Sequence, residues 1–248
     1  MKPNIFFVTV DSLRADRCFG ENRSAKTPNL DSLIKKGIYF SQAISAADQT
    51  GASLSSVFSG IFPIRTGKNQ ITFKSDTTTY FGILKNSNYY TCTLVPDIAF
   101  FKEFTTNFDD KMIYAFENVK TRQNLGNDLG KKIIAKLKSK EMKEPWIYYI
   151  HLMDIHTPFT VPNEFDKQEN GETKYDRLVS LVDVWLGRFL NEINMENTKI
   201  VISADHGEYI PATDESVSEI PNVQRLLTKG QTSISFIEKM RMKTLLNL

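Results

Sequence analysis

Apolar positions along the chain fall into short unbroken runs set between stretches of helical spacing. Ile5–Val10, Trp146–Leu152 and Lys199–Ala204 are the clearest runs, each rich in β-branched or aromatic residues. Runs of this length and composition predict strands buried on both faces, as in a parallel sheet covered by helices. A fourth strand is predicted over Tyr89–Val95, after a helix that ends near Ile83 and Leu84. Three of the runs stop at polar residues: Asp11 follows the first, Asp154 and His156 lie beyond the second, and Asp205 and His206 follow the last.

Helical spacing fills the intervals. Thr27–Gly37 carries a Thr at the N-cap, Pro28 in the first turn, Leu30, Leu33 and Ile34 on one face, and Gly37 where a left-handed terminal residue is expected. Ser53–Ser59 reads as a second helix, entered through Thr50 and Gly51 and ended by Gly60. Gly130–Lys143 reads as a Lys-rich surface helix. Over Tyr175–Ile193 the apolar residues Leu178, Leu181, Val182, Trp185, Leu186, Phe189, Leu190 and Ile193 recur at intervals of three and four. Strands alternating with helices give an α/β fold: a doubly wound, mostly parallel sheet sandwiched by helices. The pattern places this domain over residues 1–210. Residues 211–248 follow as an acidic loop, Thr213–Glu219, and a basic amphipathic tail, Ser233–Leu248.

Composition narrows the function classes. Of 248 residues, 31 are Lys or Arg and 29 Asp or Glu, a formal charge of +2. That balance lacks the basic excess expected of a nucleic-acid or anionic-membrane binder. Cys18 and Cys92 are too few and too distant for a disulfide framework or a thiolate zinc site and read as ordinary thiols. No run approaches the ~18 apolar residues of a membrane span. The N-terminus runs straight into Asp11 and Arg14 without a signal-peptide cleavage site, so a cytoplasmic location is expected.

In open α/β sheets, ligands bind beyond the carboxyl ends of the strands. Asp11, Asp205, His206 and the hydroxyl of Thr50 form a mixed oxygen and nitrogen donor set suited to a divalent ion such as Mn²⁺ or Zn²⁺. Coordination would lower the pKa of a hydroxyl nucleophile, and a helix N-terminus favours the resulting anion. Each residue also has a plainer reading. Asp11 serves equally as a helix cap or loop carboxylate, and Thr50 as an N-cap. Ser53, Ser55 and Ser56 compete with Thr50 as hydroxyls, and His151 fits a core histidine as well as a functional one.

Taken together, these segments resemble the sulfatase branch of the alkaline phosphatase superfamily. Asn4–Asp16 is similar to the family's opening strand with its first metal-binding aspartate, here Asp11. Thr27–Leu33 and Gly37–Phe40 continue the likeness. Sulfatases carry a Cys-x-Pro-Ser-Arg motif that begins ten residues before a glycine and is followed by a segment like Leu-Tyr-Pro-x-Arg-x-Gly. Ser59–Gly67 resembles the downstream part, with Pro63 and Arg65, and ten residues before Gly60 stands Thr50. His151–Phe159 resembles the substrate-side histidine motif, and Ser203–Glu208 the second metal motif. Two departures stand out. Thr50, with Ala52 and Leu54 in place of the motif's Pro and Arg, does not suit formylglycine formation. It resembles instead the threonine of phosphoryl-transfer members such as phosphoethanolamine transferases and lipoteichoic acid synthases. Ser12 follows Asp11 where many sulfatases have a second aspartate.

The resemblance implies a metal-dependent hydrolase or transferase of phosphate or sulfate esters, phosphoryl transfer being favoured. Asp11, Thr50, Asp205 and His206 would hold one divalent ion, Mn²⁺ first, with Zn²⁺, Mg²⁺ or Ca²⁺ as alternatives. Thr50 would be the nucleophile, and His156 would bind a substrate oxygen or protonate the leaving group. Arg14 and Arg65 would contact the anion or form salt bridges. The substrate would be a small-molecule, glycan-linked or lipid-linked ester, with no nucleic-acid partner. The family's C-terminal subdomain, which carries a further active-site His or Lys, is expected to be short or missing, since no histidine follows His206. The alternative is a catalytically silent, sulfatase-like binding or scaffold protein that uses its tail.

Overall fold

The computed structural model describes residues 2–21, 23–62, 78–116, 123–139 and 141–208. Five strands, β1 (Asn4–Val10), β2 (Tyr90–Pro96), β3 (Asp110–Tyr114), β4 (Trp146–Leu152) and β5 (Thr198–Ala204), form one sheet in the order β3-β2-β4-β1-β5. Every adjacent pair is parallel. This is the expected doubly wound α/β architecture, and β1 lies between β4 and β5. The helices are α1 (Ala15–Cys18), α2 (Pro28–Lys36), α3 (Thr50–Ser59), α4 (Tyr80–Asn86), α5 (Ala99–Phe104), α6 (Leu129–Lys138) and α7 (Lys174–Leu190). The expected boundary at residues 210/211, the loop Thr213–Glu219 and the tail Ser233–Leu248 lie outside the described residues.

Side chains alternate between the two faces of a strand. Phe6 and Tyr148 pack together, and Phe6 also meets Phe189 of α7 edge-on at 6.4 Å. Phe7, Ile147 and Tyr149 face the other way, into a cluster with Leu54 and Phe58 of α3, Phe81 of α4, and Phe101 and Phe104 of α5. Phe58 is its centre, stacked on Phe104 at 4.1 Å and edge-on to Tyr149 at 5.3 Å. Both faces of β1 and β4 are therefore covered, which is why their sequences read as continuous apolar runs rather than alternating ones.

Helix α7 opens with a capping box: the Thr173 side chain accepts from the Asp176 backbone N–H, and the Asp176 carboxylate accepts from the Thr173 backbone N–H. Its Asp183 takes N–H bonds from Asn29 and Leu30, anchoring the start of α2.

Several local expectations are corrected. Gly37 is extended (φ −122°), not left-handed, whereas Gly60 at the end of α3 is left-handed at φ 71°. The Lys-rich helix is shorter than Gly130–Lys143. It ends at Lys138 and is no purely solvated element, because Leu129, Ile133 and Lys136 are buried, the last paired with Asp110. Helix α3 starts three residues earlier than Ser53, and its N-cap is Gln49 rather than Thr50.

Candidate active site

The alternation that places Phe7 and Tyr149 under α3 carries two residues further along each strand. Thr9 pairs with His151 of β4 and with Ser203 of β5, and Val10 with Ala204. Asp11 and Asp205 thus leave adjacent strands side by side, on the face where α3 begins. Ser12 turns the chain sharply after β1, with φ at +60°, a left-handed value that strains a residue with a side chain. The turn aims the Ser12 N–H at Asp205 Oδ1 (3.0 Å), and the Ser12 hydroxyl donates to Asp11 Oδ1 at 2.8 Å. The His206 N–H also donates to Asp205 Oδ1, at 2.8 Å.

Thr50 stands across from these carboxylates. Its hydroxyl donates to Asp11 Oδ2 at 2.8 Å, and His206 Nε2 lies 3.2 Å from the Thr50 Oγ1 itself. His206 Nδ1 donates to the Gly207 carbonyl at 2.7 Å, which leaves Nε2 of the neutral ring as a lone pair facing Thr50. The competing hydroxyls are used elsewhere. Ser53 donates to the Asp205 carbonyl, Ser55 to the Gly51 carbonyl and Ser56 to the Ala52 carbonyl.

Asp11 and Asp205 are both buried. Burial opposes ionisation of Asp11, but the nearby His151 and His156 imidazoles and the Ser12 hydroxyl together hold this carboxyl below the usual carboxylate range. Asp205 moves the other way, raised by burial and by the charge of Asp11. Burial pushes His206 down, while Asp205 and the Gly207 carbonyl raise it, with a net rise.

His151, weighed evenly as a core or a functional residue, lies beside this pair. It is fully buried, with Nε2 3.4 Å from Asp11 Oδ2, and donor atoms of Asp11, His151 and Asp205 all fall within 4.8 Å of one another. The signal that could have singled it out was parity: His151 continues the Ile147, Tyr149 face of β4, the face on which Asp11 emerges from β1.

His156 is half-buried beyond β4. Its Nδ1 donates to the Thr157 carbonyl at 2.6 Å, and its ring meets Phe116 edge-on at 5.6 Å. Asp154 accepts from the Leu125 N–H at 2.8 Å, and burial raises its carboxyl to about 7. Arg14 forks onto Asp16, with bonds of 2.9 and 2.8 Å, and donates to the Glu208 carbonyl. Arg65 lies outside the described residues.

The donor set suits a divalent cation. Of nine buried side-chain atoms without a hydrogen-bond partner among the described residues, two, His151 Nε2 and Asp205 Oδ2, lie in this cluster. Buried polar groups are almost always satisfied, and two carboxylates this close repel each other unless a cation lies between them. Carboxylate, imidazole and hydroxyl donors fit Mn²⁺, Zn²⁺ or Mg²⁺.

Comparison with known proteins bears on the family and the fold. The family model described as Sulfatase matches residues 3–233. An uncharacterized protein of Haemophilus influenzae is 25% identical over 214 residues, covering 83% of this chain and 32% of its own length. The chain thus spans about a third of that curated relative. A Vibrio parahaemolyticus protein of the alkaline phosphatase superfamily superposes with a TM-score of 0.66 at 20% identity, over 86% of this chain and 56% of that one. The phosphonate monoester hydrolase of Agrobacterium radiobacter superposes with a TM-score of 0.68 at 15% identity, over 84% and 63%. At these identities the structural likeness speaks for the fold. Among the described residues no helix is long and apolar enough to cross a membrane.

Proposed function

The chain belongs to the sulfatase family, and from that premise we propose that it cleaves or transfers phosphate or sulfate esters with Thr50 as the nucleophile. Phosphoryl transfer is favoured over sulfuryl transfer. The observation that carries this reading is the Thr50 hydroxyl, 2.8 Å from Asp11 Oδ2 and 3.2 Å from His206 Nε2, at the first residue of α3.

Asp11, Thr50, Asp205 and His206 would hold a divalent cation, which when bound would lower the hydroxyl pKa and offset charge on the ester oxygens. Asp11 keeps the Thr50 oxygen oriented through the hydrogen bond it accepts. The free N–H groups at the start of α3 favour the incoming anion. Thr50 Oγ1 gives up its proton to solvent water and forms a bond to phosphorus, and the bond from phosphorus to the alcohol oxygen breaks. His156 binds a substrate oxygen or gives the departing alcohol its proton. Water or a second alcohol then attacks the phosphorus of phospho-Thr50 and frees the hydroxyl. The substrate is a small-molecule, glycan-linked or lipid-linked ester.

Thr50 favours phosphoryl chemistry because Ala52 and Leu54 replace the residues that formylglycine formation needs. A silent binding module would leave two repelling buried carboxylates without a task to offset their cost.

The test is an activity screen of wild type and Thr50→Ala on aryl phosphates, phosphodiesters, phosphonates and sulfate esters, with and without Mn²⁺. We expect Mn²⁺-dependent turnover, highest on a phosphorus ester, that Thr50→Ala abolishes while circular dichroism stays unchanged. Full activity in Thr50→Ala would reduce Thr50 to a structural residue.

A further inference from the structure

We propose that His151 is a direct ligand of the cation through Nε2, supplying the donor that Ser12 does not; this rests on the metal-dependent reading above. Three observations carry it. His151 Nε2 is fully buried and makes no hydrogen bond, although Asp11 Oδ2 lies only 3.4 Å away. The ring is therefore not oriented to donate a proton to that carboxylate. Protonated, Nε2 would be a buried donor without an acceptor. Unprotonated and without a cation, its lone pair would face a carboxylate oxygen. A shared cation removes both conflicts.

The second observation is the matching orphan, Asp205 Oδ2, in the same donor cluster. Atoms bound to one ion at about 2.0–2.2 Å lie roughly 3–4.4 Å from one another. The 3.4 Å from His151 Nε2 to Asp11 Oδ2 and the 3.5 Å from His206 Nε2 to Asp205 Oδ2 fall in that range.

The third concerns the other ring nitrogen. His151 Nδ1 lies 3.3 Å from the hydroxyl of Tyr149. With the Nδ1 proton donated to that oxygen, the neutral ring has its lone pair on Nε2. Metal-bound histidines are held in this way, one nitrogen on the ion and the other N–H on an outer partner. The ring is fixed in place by Phe101, 4.6 Å away, and the His151 carbonyl accepts from Tyr114 at 2.9 Å.

The chain has three histidines, so each imidazole can be followed separately by long-range ¹H–¹⁵N correlation NMR during Zn²⁺ titration of the whole protein. We expect Nε2 of both His151 and His206 to move to metal-bound shifts at one equivalent of Zn²⁺, with Nδ1 of His151 staying protonated. His151→Gln should raise the Zn²⁺ Kd at least tenfold. If the variant does not fold, the wild-type titration decides alone. A response from His206 alone, with Mn²⁺-dependent ester cleavage intact, overturns the assignment of His151 and leaves the proposed activity standing. No response from either ring, with no cleavage, removes both.

Discussion

The Tyr175 hydroxyl donates to the Ser12 carbonyl at 2.7 Å and accepts the Arg14 N–H at 2.9 Å. A side chain of α7 thus clamps both ends of the turn that follows β1, the turn whose left-handed Ser12 directs its N–H to Asp205. Tyr175→Phe leaves a buried carbonyl and a backbone N–H without their partner, at a cost of about 1–3 kcal/mol. The expected result is a lower urea midpoint together with a raised Mn²⁺ requirement for turnover. A variant that loses stability but keeps its metal requirement would confine Tyr175 to holding the fold.

Metal should stabilise the protein by mass action. At a free Mn²⁺ concentration 100 times Kd the gain is about 2.7 kcal/mol, visible as a rise in Tm that EDTA reverses. Asp205→Asn should behave oppositely in the two conditions. It keeps an Oδ1 acceptor for the N–H groups of Ser12 and His206 but removes the repulsion with Asp11. Its Tm should exceed that of wild type in EDTA and fall below it in Mn²⁺. Parallel thermal melts check the crossing.

Asp154 gives a pH dependence of the opposite sense to a salt-bridged carboxylate. Its folded value of about 7 stands above the unfolded 3.8. Between those values the native state keeps a proton that the unfolded chain has released, so stability falls as pH rises from about 4 to about 7 and is level beyond. Asp154→Asn retains an acceptor for the Leu125 N–H and should flatten this slope. Its advantage over wild type should be on the order of 1–3 kcal/mol at pH 8 and vanish near pH 4. Urea melts at the two pH values measure it.

Gly130→Ala tests packing against propensity. Alanine in a helix is favoured over glycine by about 1 kcal/mol. A Cβ at Gly130, however, would run into the Trp185 ring. The clash should prevail, for a net loss of about 1–3 kcal/mol in a denaturant melt.

The central sheet was legible because strands buried on both faces leave an unbroken apolar signature; Trp146–Leu152 matches β4 residue for residue. Strand β3 went unread for the converse reason. It is a five-residue edge strand, Asp110–Tyr114, with only Tyr114 fully inside. Gly37 misled because a glycine after a helix suggests a left-handed cap, whereas here a Cβ would meet the Leu33 carbonyl at 3.0 Å in an extended conformation. Asp11, Asp205 and His206 stood out at strand ends. Thr50 could not be separated from an N-cap by sequence, because the difference lies in whether its hydroxyl bonds its own helix or a carboxylate 39 residues away. His151 was masked by its apolar neighbours. Arg65 and the segments beyond residue 208 lie outside the described residues.

Strand β1 is synthesised first yet pairs with β4 and β5, whose residues begin at 146 and 198. Contacts so distant in sequence are slow to form. On the ribosome the Phe6–Val10 stretch therefore waits for its first partner strand until Trp146–Leu152 has emerged, and for its second until Thr198–Ala204 follows. The cluster of Asp11, Asp205 and His206 therefore takes shape only after β5 has been made.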